Sequence, residues 1–168
     1  MRLFKRGKTS VEEWATGASI ALIEGITDTN KTKMVGKQLS ISSEEELTVL
    51  HRELTCLLVC SVDLAAYTAL GPDADEKNTF LDIFYAMLDE HYHLAPADEK
   101  VFHSLLDDRL NAYAQLLNNS EKSGLAIGEA FASFCGHSGD KNFANVASIT
   151  SAVHLDEIRK LLTKHSKE

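Results

Sequence analysis

Three histidines stand at positions where helical periodicity calls for apolar side chains, and imidazole is the commonest side-chain ligand for transition metals. At about 100° per residue, His51 falls about 40° from Leu47 around its helix, His91 about 20° from Phe80, and His154 about 20° from Phe143. All three are thereby expected to point inward. Helix bundles build zinc, iron and haem sites from inward side chains on facing helices, so His51, His91 and His154 form a candidate metal set, with Glu90 as a supporting carboxylate. Glu90 and His93 also show the Glu-x-x-His spacing of di-iron bundles. That chemistry needs a second such motif and two further glutamates, which this sequence does not supply. Taken singly, each histidine reads more simply as a core residue satisfied by a carbonyl or water. Proximity in space separates the two readings.

Arg109 and Asp63 are the other exceptions. Arg109 falls in the middle of an apolar arc between Leu116 and Phe102, and Asp63 interrupts the most hydrophobic run of the chain, Leu54 to Leu70. A buried guanidinium is tolerated only when paired and hydrogen-bonded. Arg109 is therefore expected to reach a carboxylate, Asp63 first and Glu53 second, as a buried ion pair that fixes helix register. The bland alternative is that it snorkels to solvent. Cys56, Cys60 and Cys135 lack the spacing of a zinc ribbon or finger and read as small core hydrophobes.

Those side chains must be positioned by helices, because no stretch alternates apolar and polar residues long enough for a strand. The spacing predicts an all-α, single-domain bundle of about six helices around a central hydrophobic helix at about 44–70. Ser10 with Glu13 makes a capping box for the first helix, and Ser43 followed by three glutamates opens the central one, which Gly71-Pro72 stops. Residues 27–42 read as a polar connector, and residues 1–9 as a basic tail preceding a helical domain at 10–168. Pro96 ends the third helix and Asp98 begins the fourth. A fifth spans about Glu121 to Cys135, and Asp140 caps the sixth.

The 168 residues are 44% hydrophobic and 25% charged, typical of a globular domain, with a formal net charge of −8. The charge is segregated: residues 44–108 carry three basic and fifteen acidic side chains. An acidic centre of this kind repels phosphate and argues against nucleic acid as a partner. The seventeen residues from Leu54 to Leu70 are at the short limit for a membrane span and contain Asp63, so they read as a core helix. One leucine and one phenylalanine among the cations of residues 1–9 allow only weak membrane-surface contact. An odd number of cysteines and no secretory signal pattern predict a cytoplasmic protein.

The sequence contains no Walker loop, dinucleotide fingerprint, His-Glu-x-x-His, calcium loop or nucleophile elbow, and it yields no catalytic set. The first expectation is a non-enzymatic soluble helical domain acting through a protein partner or as a homo-oligomer, without cofactor. Its contact surface would be the 27–42 connector, the basic start, or the acidic face of the second to fourth helices. The second is a zinc-, iron- or haem-binding bundle. The third is an enzyme with Arg109 as anion anchor, which requires an open cleft at that residue.

Overall fold

The computed structural model describes residues 10–92, 96–119 and 123–165. The described residues form seven helices and no strand: α1 (Val11–Ile26), α2 (Thr29–Gln38), α3 (Glu44–Leu70), α4 (Asp75–Tyr92), α5 (Pro96–Asn119), α6 (Ser123–Phe134) and α7 (Lys141–His165). The chain is thus an all-α bundle, with one helix more than the periodicity predicted.

Caps set most of the ends. Ser10 Oγ accepts from the Glu13 amide, and Glu13 Oε2 accepts from the Ser10 amide, each at 3.1 Å, completing the capping box of α1. Ser43 accepts from the Glu46 amide at 3.2 Å, beside three glutamates at the positive end of α3. Gly71, at φ 98°, ends α3 in a conformation that a side chain would strain. Asp140 Oδ1 accepts from the amides of Asn142 and Phe143 at 2.8 and 3.2 Å and opens α7. Pro96 does not merely forbid continuation of the third predicted helix; it is the first residue of α5, where its missing N–H costs nothing.

The additional helix is α2, inside the stretch read as a connector. Asp28 caps it through the Asn30 amide at 2.9 Å, and Thr32, Val35, Gly36 and Leu39 are buried at helical spacing. Two of those four inward positions are threonine and glycine, which hides the apolar stripe. A Cβ at Gly36 would come within 2.6 Å of Leu47 Cδ2, so the end of the Leu47 side chain would have to shift to admit one.

Helix α3 touches all six others. Val59 is fully buried, as are Leu50, Leu58, Val62, Ala65 and Ala66. By length and composition α3 could cross a membrane, but 67% of its most apolar window is buried inside the bundle. Contacts fix the directions. Tyr85 meets Asp63, so α4 runs back along α3; Arg109 meets Glu53 while Leu110 and Ala114 lie near Asp63, so α5 runs parallel to α3. Ser151 and Arg159 meet Ser61 and Thr68, so α7 is also parallel to α3. The chemistry on successive turns of α3 is therefore displayed along one seam with α4 and α5. Val101 on α5 is 70% exposed and Val153 on α7 is 53% exposed.

Candidate functional site

The three histidines go to different surroundings. His51 is half-buried on α3, with its Nδ1 2.8 Å from Thr32 Oγ1 of α2, and burial lowers its pKa. His154 on α7 is 7% exposed, its Nε2 is buried without a partner, and its Nδ1 lies 3.9 Å from Glu157 Oε2. Burial, reinforced by Lys31 of α2, lowers its pKa to about 4. His91 is exposed near the end of α4, edge-on to the Tyr92 ring, and Glu90 beside it is also exposed.

The expectation of a common site for His51, His91, His154 and Glu90 is corrected. Among the described residues, no three His, Cys, Asp or Glu side chains meet as a metal-holding group. His91 is turned out of the set by the winding of the α4 seam. Its buried residues Phe80, Phe84 and Leu88 step about 40° each, so by the last turn the inward direction has rotated past His91. His93, the partner of Glu90 in the di-iron spacing, lies outside the described residues, as do residues 1–9.

The depressed pKa of His154 makes stability pH-dependent. The unfolded chain takes up its imidazole proton near pH 6.5, while the folded chain does so only near pH 4. The stabilisation from the neutral, buried ring is complete above 6.5 and is lost as pH falls towards 4. Between those limits wild type should lose about 3 kcal/mol more than His154→Leu, measured by urea unfolding at each pH. Parallel pH curves for the two proteins would refute this.

Arg109 is engaged on its edge and its face. Its Nε and Nη2 lie 2.7 and 3.1 Å from the two carboxylate oxygens of Glu53, and its guanidinium sits 3.8 Å from the centre of the Phe134 ring. Glu53 is fully buried. The expectation that Arg109 pairs first with Asp63 is corrected: Asp63 is ten residues beyond Glu53, about 15 Å farther along α3. Through this two-point contact Arg109 joins α5 to α3. The thiols of Cys56, Cys60 and Cys135 are each pushed up to about 12, chiefly by burial, which makes them poor nucleophiles.

Asp63 instead accepts a hydrogen bond from Tyr85 Oη on Oδ2 at 2.9 Å, while its buried Oδ1 has no partner. Burial raises its pKa, and the Tyr85 hydrogen bond opposes that rise. It lines an open groove of about 660 Å³ where α3, α4 and α5 converge. Leu64, Leu81, Leu110 and Leu117 supply apolar walls, Asn111 a second polar group, and Tyr67, 54% exposed, extends aromatic surface at the edge. Lys77 is held at the rim, donating to the Pro72 carbonyl with its ammonium 5.8 Å from the Tyr67 ring centre. Only Asp63 was visible beforehand, as the charge inside the apolar run. Tyr85 and Asn111 carry no signal in sequence, because nothing there reveals that α4 folds back and α5 returns.

Set against known proteins, the chain matches no protein-family model, no curated protein and no solved structure.

Proposed function

We propose that the chain is a non-catalytic interaction domain whose recognition groove, between α3, α4 and α5, takes a basic, apolar-faced helix of a protein partner. The observation that carries this reading is Asp63: a carboxylate in an apolar groove, with one oxygen on Tyr85 and the other unpartnered. A ligand ammonium or guanidinium held beside the carboxylate offsets the penalty of keeping that charge in apolar surroundings. The groove is open to solvent, as the laying-in of a helix requires. The groove is drawn largely from residues 44–108, whose acidic excess favours the approach of a cationic segment. The high thiol pKa values and the engagement of Arg109 by Glu53 support a non-catalytic role.

The probe is an amphipathic helical peptide of leucine and lysine, added to the full chain and followed by NMR. Resonances of Leu81, Tyr85 and Leu110 should shift saturably. Asp63→Asn, which retains an acceptor for Tyr85, should weaken binding about ten-fold or more. A leucine–glutamate peptide should not bind. Equal affinity of Asp63→Asn and wild type, or of the two peptides, would dispose of the reading.

A further inference from the structure

At the other end of the α3–α5 seam the charge is reversed. Glu53 is shared by two arginines, Arg109 as described and Arg52, whose Nε and Nη2 lie 3.2 and 3.0 Å from Glu53 Oε1. One carboxylate cannot neutralise two guanidinium groups, so the cluster keeps an excess of positive charge. Arg109 is packed on Phe134 and largely covered, whereas the Arg52 side chain is 49% exposed. The excess is therefore presented at Arg52, which lines a separate groove of about 430 Å³.

That groove is two-ended. Tyr92, Phe102 and Leu105 make an apolar floor, with the exposed Val101 at its edge. Thr48 and His51 join Arg52 at the polar end. When the Thr32 hydroxyl donates to His51 Nδ1, the neutral ring carries its proton on Nε2 and is a hydrogen-bond donor there. A guanidinium and an imidazole N–H at one end of an apolar trough have the complementarity of a carboxylate carrying a hydrocarbon tail, while the Thr48 hydroxyl is already spent on the Glu44 carbonyl, to which it donates at 2.8 Å.

We infer that this groove binds a small monocarboxylate with an apolar chain, its carboxylate on Arg52 and His51 and its chain along Phe102 and Leu105. The site is independent of the Asp63 groove and opposite to it in charge preference.

The test uses the full chain with decanoate, decanol and decylammonium as probes, by calorimetry and NMR. Decanoate should bind one per chain with shifts at Phe102 and Leu105, and about ten-fold more tightly than decanol. It should also raise the titration midpoint of His51, since a bound carboxylate favours the imidazolium. Arg52→Gln should erase the preference for decanoate over decanol and leave decanol affinity unchanged, which a general loss of structure would not do. Val101→Glu, a substitution at an exposed edge, should abolish decanoate binding. Decanoate and decanol binding alike to wild type, a His51 midpoint unmoved by decanoate, or an Arg52→Gln variant that keeps the preference would each overturn the inference.

Discussion

Arg109→Leu should lower the unfolding free energy by about 3 kcal/mol, and Glu53→Leu in the same chain should restore most of the loss. The single substitution strips the fully buried Glu53 carboxylate of its two-point partner and leaves it only the sideways contact with Arg52. The stacked contact with Phe134 goes as well. In the double variant no carboxylate remains to be solvated, and two leucines occupy an apolar boundary between α3 and α5. Removing one partner of a buried pair is expensive, whereas replacing both is close to neutral. Urea unfolding of the four proteins of the cycle measures this. A single-variant loss below about 1 kcal/mol, the range of exposed pairs, would place the ion pair among surface contacts.

Gly128→Ala is the second large effect, with an expected loss of about 2–3 kcal/mol. A Cβ at Gly128 would stand 2.1 Å from the Ala144 carbonyl oxygen and 2.3 Å from Ser148 Oγ, so α6 and α7 would have to separate. Ser148 Oγ is itself confined, lying 2.8 Å from both the Gly124 and the Ala144 carbonyl oxygens, between which its one proton is shared. Truncating it in Ser148→Ala would relieve only one of the two clashes. Gly17→Ala is the matched control, since nothing lies within 4 Å of a Cβ there, and it should gain about 0.5–1 kcal/mol from helix propensity alone. Thermal unfolding with the two glycines shifting in the same direction would contradict the close approach of α6 to α7.

What the sequence made readable follows from how local each feature is. The span of α3, its Ser43 cap, the Ser10–Glu13 box and the Asp140 turn depend on neighbouring residues, and the structure has them where the spacing placed them. α2 was missed because its inward stripe is half polar and small, and only the surface of α3 opposite gives Thr32 and Gly36 their burial. The angular method located His154 correctly and His91 wrongly. On α7 the inward direction still holds at residue 154, whereas the α4 seam has turned away by residue 91.

Arg109 and Asp63 were both recognisable as charges in apolar surroundings, and the need of Arg109 for a carboxylate was sound. Its choice between Glu53 and Asp63 depends on the axial offset of α5 against α3, which no periodicity encodes. The two grooves are invisible for the same reason, being assembled from residues far apart in the chain and brought level by the parallel course of α3 and α5.

The titration of Asp63, followed through its side-chain carboxyl carbon by NMR with and without the leucine–lysine peptide, tests the groove most directly. In the free protein its midpoint should lie above the ordinary aspartate range, because burial penalises the charged form. A bound cation stabilises that charge, so saturation with peptide should move the midpoint downward, and affinity should fall as pH drops through the free-protein midpoint. Superimposable titration curves in the two states, with the peptide bound, would show that the cation is held elsewhere and that Asp63 is not the residue that recognises it.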